Sequence, residues 1–351
     1  MRSLFVVCGL LLSMMGVASA QDVGAFNTHP SPVLTAKAGT FYQNGVGAPT
    51  VVYDEILERY IMIFETRLPE TDARCPVGIW GLGVATSTDG LDWNVFPAPI
   101  VRPVPGDGSY YSCVAAHPTA AFDSSTNTML LFFKGEQGTD ACDSASPSWG
   151  CDTWTGVGRV FMPMSSAGVP IAVSVSSSPV LTVGQNFGFP KFVQVGSTYN
   201  LMLSIYPNIY RATSTNVASF SLDPTPAITP ITTVTWANQE VFNPAATCED
   251  AGPFGYSSYF GGRTLSSWAI ADAGWGKGIS SDGASWFLNE SPYYTWSDDL
   301  DWRHWEVLRV GVADHLVYFS EKNATGIPQI GVSYTADAWS GVDVYDKRCG
   351  D

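Results

Sequence analysis

The sequence is short of positive charge. Its 351 residues include 17 Lys and Arg against 32 Asp and Glu, a formal net charge of −15. That deficit argues against nucleic acid or an anionic membrane surface as partner, because both are bound through a basic face. Charge of either sign is scarce, at 14% beside 45% hydrophobic residues. Such a balance buries a core and does not stay disordered. Helical periodicity is missing throughout. No CxxC pair occurs, so zinc lacks its usual ligand spacing. There is no GxSxG elbow, HExxH, P-loop or GxGxxG after a strand. Asp298-Asp299-Leu300-Asp301 is acidic but lacks the order of an EF-hand loop. After residue 20 no apolar run is long enough to span a bilayer, so no membrane insertion is expected.

What is present begins with export. Residues 1–20 carry an early Arg, an apolar stretch from Leu4 to Val17 and a closing Ala18-Ser19-Ala20, the pattern of a signal peptide cleaved before Gln21. The mature chain, residues 21–351, is then expected to be secreted, extracellular or periplasmic, as a single domain. Six cysteines remain beyond Cys8: Cys75, Cys113, Cys142, Cys151, Cys248 and Cys349. An even set in an exported chain reads as disulfides, with fifteen pairings open. Cys142 and Cys151 share one Ser/Gly/Trp-rich loop and are the favoured pair. Asn289-Glu290-Ser291 and Asn323-Ala324-Thr325 are glycosylation sequons.

The chain repeats itself. Residues 83–93 read GVATSTDGLDW and residues 276–286 read GKGISSDGASW, with Gly, Ser, Asp, Gly and Trp in register. ATSTNVASF at 212–220 and GVSYTADAW at 331–339 are shorter copies, and a faint one spans 156–168. Each copy follows two strand-like runs. The first opens with X-Pro: Ala48-Pro49, His117-Pro118, Phe189-Pro190 and Asn243-Pro244. The second is aromatic and aliphatic: YIMIFE (60–65), MLLFFK (129–134), YNLMLS (199–204) and HLVYFS (315–320). A Pro-flanked apolar strand follows the turn. Four-stranded units repeated five times predict an all-β, five-bladed β-propeller. Ser31-Pro32-Val33-Leu34-Thr35 duplicates Ser178-Pro179-Val180-Leu181-Thr182 yet precedes the first unit. Residues 31–36 are therefore expected to pair with the last blade and close the ring, removing an open edge.

In this layout the chain resembles the five-bladed propeller glycoside hydrolases: arabinanases, β-xylosidases, invertases and their relatives. Their blades carry a comparable S-x-D-G-x-x-W turn, and their inner strands open with acid-Pro at the mouth of a central funnel. The resemblance implies a carbohydrate substrate or ligand from a plant or algal polysaccharide, and a monomer. It implies no cofactor, though a structural calcium in the central channel fits its pattern. It also implies an Asp base or nucleophile in the first blade, a second Asp and a Glu acid in the third. Those positions fall at Ala48, at His117 and at Gly188 or Phe189. All three carboxylates are absent, so any catalytic set is displaced.

The candidates are the remaining chemical groups at strand ends. Glu65 and Glu136, each just past an apolar strand, are the leading catalytic pair, since glycoside cleavage needs two carboxylates, one with a raised pKa. His117 replaces an acid at the funnel and is the third catalytic candidate. Arg67 and Arg263 are read as clamps for an anionic sugar group. Trp149 and Tyr206 are read as subsite walls, because aromatic faces stack on sugar rings, and Asn243, opening an inner strand at the funnel mouth, as a substrate-binding residue. Glu306, behind His304 and Trp305 at the last inner strand, is a reserve carboxylate. A sugar-binding propeller without catalysis and a protein-interaction propeller are the competing functions. Asp89 recurs as Asp282 and Asn216. A neutral amide serves in the same place, so this Asp is read as a turn former and not as an acid–base group.

Overall fold

The computed structural model describes residues 27–138, 155–184, 187–248, 256–263, 273–292, 294–295, 304–310, 314–335 and 348–349. The regular structure of these residues is β throughout. In chain order the strands are β1 (Asn27–Thr28), β2 (Gly47–Asp54), β3 (Arg59–Arg67), β4 (Trp80–Ser87), β5 (Asn94–Val95), β6 (Val114–Asp123), β7 (Thr128–Glu136) and β8 (Thr155–Pro163). There follow β9 (Ser174–Val175), β10 (Leu181–Val183), β11 (Gly188–Val195), β12 (Thr198–Ile205), β13 (Asn208–Ser214), β14 (Ser221–Leu222), β15 (Glu240–Cys248) and β16 (Tyr256–Arg263). The last are β17 (Ala273–Ser280), β18 (Phe287–Leu288), β19 (Tyr294–Thr295), β20 (Trp305–Val310), β21 (Asp314–Lys322), β22 (Pro328–Tyr334) and β23 (Arg348–Cys349).

The strands fold as antiparallel meanders. The first is β2-β3-β4-β5, and the second is β6-β7-β8 with β9 and β10 on β8. The third is β11-β12-β13-β14, and the fourth is β15-β16-β17 with β18 and β19 on β17. The last is β20-β21-β22-β1. The innermost strands pack in succession: β2 on β6, β6 on β11, β11 on β15, β15 on β20 and β20 on β2. Apolar clusters fill the spaces between successive meanders. Ile63, Leu82, Phe122 and Phe133 lie between the first and second, and Val51, Phe64, Tyr318 and Ile330 between the first and last.

The N-terminal segment pairs with the last meander, but not as one strand over 31–36. Asn27 and Thr28 pair with Tyr334 and Ser333, and Leu34 makes a separate bridge to Ile330. Pro32 has no N–H to donate and interrupts the ladder. The Leu34 bridge matches Val101 at Leu82, Leu181 at Val157 and Ile228 at Ile209. β23 pairs in parallel with β11.

The repeated turn has one construction. Ser87 Oγ accepts the N–H of Gly90 at 2.9 Å, and Asp89 Oδ1 accepts those of Leu91 and Asp92 at 2.8 and 2.9 Å. Trp93 Nε1 then donates to Gly90 O at 3.1 Å. Ser280, Asp282, Gly283 and Trp286 reproduce the set bond for bond. Asn216 Oδ1 takes the N–H of Ala218 at 3.0 Å in the third copy. Gly90 and Gly283 sit at φ 74° and 70°, where glycine is unstrained. Trp93 packs edge-on against Tyr318, whose hydroxyl donates to Gly90 O at 3.1 Å. The turn therefore stitches the first meander to the last.

A second repeat links strands within a meander. Phe64, Phe133, Phe260 and Phe319 stand in register opposite Gly83, Gly158, Gly276 and Gly331 on the next strand. A Cβ at Gly83 would lie 2.4 Å from the Phe64 ring, so the ring covers bare backbone. One disulfide is described, Cys75–Cys113, between the β3–β4 connection and the start of β6. The favoured pair, Cys142 and Cys151, lies outside the described residues, as do Trp149 and Asp298–Asp301. Gly83→Ala is expected to lower unfolding free energy by about 1–3 kcal/mol through overpacking. Gly184→Ala, with nothing within 4 Å, is expected to stay within about 0.5 kcal/mol. Urea unfolding of both variants checks the pair.

Candidate functional site

The X-Pro dipeptides make one recurring device. Ala48, His117, Phe189 and Asn243 sit at φ 40°, 49°, 52° and 46°, a region non-glycine residues rarely adopt. The ladder register slips at each, between Gly47 and Thr50, Ala116 and Thr119, Gly188 and Lys191, and Phe242 and Ala245. These are β-bulges, and the proline supplies a residue with no ladder N–H to lose. The bulge turns the N–H of residue X off its own ladder, and a side chain accepts it. Ala48 donates to Ser320 Oγ at 2.8 Å, His117 to Glu65 Oε2 at 2.9 Å, Phe189 to His117 Nδ1 at 3.2 Å and Asn243 to Ser204 Oγ at 2.7 Å.

The acceptors share one register position. Glu65, Lys134, Ser204 and Gly261 pair with the residue just before each bulge. Ser320 takes the same place in the last meander, donating its N–H to His304 O at 2.8 Å. Lys134 cannot accept a hydrogen bond, so the third acceptor is His117 itself. That bond fixes the neutral ring as the Nε2–H tautomer, with Nδ1 as acceptor.

These bonds gather a compact cluster. The His117 ring stacks on Phe189 at 4.5 Å, and both rings lie 4.9 Å from His304. All three rings are half-buried. Glu65 lies beneath them, 5% exposed. Burial pushes its carboxyl up from 4.5 to about 7, against the opposing pull of the His117 N–H, Lys134 and Lys191. Burial, followed by the charges of His304, Lys134 and Lys191, holds His117 well below its ordinary value. Near neutral pH the floor thus presents a carboxyl poised to give or take a proton beside a neutral imidazole. A Cβ at Gly47 would lie 3.2 Å from Ser320 Oγ and 3.8 Å from Glu65 Oε1, so glycine keeps these two acceptors uncrowded.

The other candidates are distributed differently. Glu136 aligns with Arg67 and not with Glu65, because Glu65 shares its register position with Lys134. Glu136 Oε1 accepts from Lys134 Nζ at 2.5 Å. Glu306 accepts from Lys191 Nζ at 2.9 Å. Arg263 Nε donates to Glu240, and its guanidinium lies 5.7 Å over Phe242. Arg67 is exposed at the end of β3, packed over Gly78. Asn243 is fully buried, and Tyr206 is 61% exposed in the turn between β12 and β13. Glu65 and His117 are therefore brought into contact, while Glu136, Arg67, Arg263 and Tyr206 have other settings. His304 and Phe189 complete the floor. His304 opens the last inner strand, which lacks proline and bulge, so the X-Pro pattern does not flag it.

Donor atoms of Glu65, His117 and His304 lie within 4.8 Å of one another. A ligating histidine donates its second ring N–H outward. His117 does the reverse. One nitrogen accepts and the other carries the proton, so the neutral ring has no lone pair for a metal. The group is built for hydrogen bonding.

No family model matches the sequence, and no curated protein matches it. Solved structures do resemble it. A candidate glycosidase from Bacteroides thetaiotaomicron superposes with TM-score 0.65 over 88% of this chain and 96% of that one, at 12% identity. A structure from the GH130 family of mannoside phosphorylases, which contains glycoside hydrolases that target β-1,2-mannosidic linkages in Candida mannan, gives 0.63 over 91% and 95%, at 10% identity. The β-1,2-mannobiose phosphorylase from Listeria innocua, in complex with β-1,2-mannobiose, gives 0.63 over 88% and 96%, at 9% identity. At these identities the likeness is one of fold: the propeller-type fold of glycoside hydrolase-like proteins.

The Glu65 carboxyl binds its proton more tightly in the folded chain than in the unfolded one. Its contribution to stability is present below pH 4.5 and lost as pH rises to about 7, a span worth about 3 kcal/mol. His117 has the opposite sign: its contribution is present above 6.5 and lost as pH falls. Glu65→Gln removes only the first slope. Relative to wild type it should gain about 3 kcal/mol between pH 5 and pH 8, read by urea unfolding at each pH. A difference independent of pH would contradict the assignment.

Proposed function

We propose that the meanders are the five blades of a closed propeller and that the chain is an exported, carbohydrate-active enzyme. It cleaves a glycosidic bond in a plant or algal polysaccharide or its oligosaccharides. The kinship with arabinanases, β-xylosidases and invertases belongs to the same proposal. One observation carries the reading. Among the described buried carboxylates around the inner strands, Glu136, Glu240 and Glu306 are each paired with a cation, and Glu65 is in no ion pair. A carboxyl buried without a cation partner is a proton donor near neutral pH. The half-buried rings above it offer faces for a sugar.

In this reading Glu65 protonates the leaving oxygen. The Nε2–H of His117 donates to a substrate hydroxyl or to charge developing beside it. Glu136, oriented by Lys134, serves as the second carboxylate, in the role of a nucleophile or a water-activating base. Arg67, Arg263, Trp149 and Tyr206 shape the approach, and Asn243, being fully buried, takes no direct part in it.

The engagement of Glu136 by Lys134 favours a second reading, a sugar-binding propeller without turnover. A screen of polysaccharide hydrolysis and glycan binding separates the two. The enzyme reading expects turnover that falls above about pH 7 as Glu65 loses its proton. It also expects Glu65→Gln to lose 10²-fold or more, roughly the size of a general-acid contribution, with binding retained. Binding without turnover in the wild type supports the second reading, and neither activity removes both.

A further inference from the structure

One layer below the bulges the inner strands carry a second ring of equivalent residues. Thr50, Thr119, Lys191, Ala245 and Glu306 pair with Ile63, Phe132, Met202, Tyr259 and Tyr318, two residues before the acceptor position on each second strand. Thr50, Thr119 and Ala245 are fully buried, Glu306 is 1% exposed and Lys191 is 6% exposed. Two of these side chains seal the seams between inner strands. Thr50 Oγ1 accepts the N–H of Ala120 at 3.3 Å, and Thr119 Oγ1 that of Phe192 at 2.9 Å. Lys191 cannot accept such a bond. Its Nζ donates to Glu306 Oε2 at 2.9 Å. β11 and β20 each pack on β15, whose residue in this layer is Ala245. A methyl there leaves room for the two long side chains to meet.

A calcium ion in this channel takes six to eight oxygen ligands from protein and water. The side chains of this layer offer oxygen only at Thr50, Thr119 and Glu306, beside an ammonium that repels a second cation. Both threonine oxygens are engaged by backbone N–H groups, Ala245 offers none, and the Glu306 carboxylate already faces an ammonium. Lys191 is also near enough to act on Glu65 and His117, so its charge reaches the floor above.

We propose that Lys191 is the built-in cation of the channel. Its ammonium, locked by Glu306, does the bridging that a bound divalent ion would do, and the chain takes no calcium there. The pair ties β11 to β20 across β15 and adds a positive field beneath the Glu65–His117 floor.

The test is thermal unfolding of the full chain with excess EDTA and with millimolar calcium chloride. The wild-type Tm is expected to agree within about 1 °C between the two, since a ligand that does not bind the native state cannot raise its Tm. A calcium-dependent rise of roughly 5 °C or more, or one equivalent of calcium retained after dialysis, overturns the proposal. Lys191→Met strands a buried carboxylate and is expected to lower the Tm by roughly 10 °C. Lys191→Met/Glu306→Gln removes both charges and should recover at least about half of that loss. A double variant as unstable as the single one contradicts the pairing. Should Lys191→Met fail to fold, the wild-type comparison and the double variant still decide.

Discussion

The captured N–H at each X-Pro bulge is the constraint on which the rest of the structure depends. A non-glycine residue at positive φ followed by proline is costly, of order 1–3 kcal/mol per site. The chain adopts the conformation four times, at Ala48, His117, Phe189 and Asn243. Each time a side chain accepts the N–H that the bulge turns aside, from one register position for Ala48, His117 and Asn243 and from His117 for Phe189. Those bonds join successive meanders through side chains: Ser320 in the last meander to Ala48 in the first, Glu65 in the first to His117 in the second, His117 to Phe189 in the third. What holds neighbouring sheets in register is also what aims side chains at the centre.

The chemistry follows from which acceptor stands at each place. Serine at 204 and 320 makes a neutral, purely structural contact. A carboxylate at 65 makes the same contact and keeps a second oxygen, in a setting with a lysine field but no lysine bond. Burial therefore wins over attraction, and the carboxyl rises to about 7. Lysine at 134 breaks the pattern because it has no lone pair, so His117 must serve as donor to Glu65 and acceptor from Phe189. The bond accepted at Nδ1 fixes its tautomer, and the bond given to Glu65 comes from its backbone N–H. Below, Lys191 is held by Glu306. Above, among the described residues, stand the half-buried rings of His117, Phe189 and His304. Glu65 is thus the group whose charge the surroundings leave undecided near neutral pH.

Much of this fold was legible in the residues. The Ser–Asp–Gly–Trp copies pointed to repeated meanders, because one set of Asx hydrogen bonds demands the same side chains at 87–93 and 280–286, and Asn216 showed that the acid was not used as an acid; the turn of the copy at 331–339 lies outside the described residues. The duplicated SPVLT located the N-terminal segment beside β22, though Pro32 broke the strand expected over 31–36 into two short contacts. The X-Pro dipeptides marked the inner strands and brought His117 forward. The site was less legible. Glu65 and Glu136 end similar apolar runs, YIMIFE and MLLFFKGE, yet two residues separate their registers, and alternation alone does not show which residue pairs with the bulge. His304 had no proline to announce it. The partner of Lys191 lies in another meander, a contact that strand patterning does not encode.

The account stands on a single titration. Carbon-13 NMR of the Glu65 carboxyl in the wild type, assigned by its loss in Glu65→Gln, reads the group directly. A midpoint near 7, shifting together with the His117 ring signals, is the predicted result. A midpoint near the ordinary 4.5 would mean that Glu65 is a solvated strand end, and the floor would lose its proton donor.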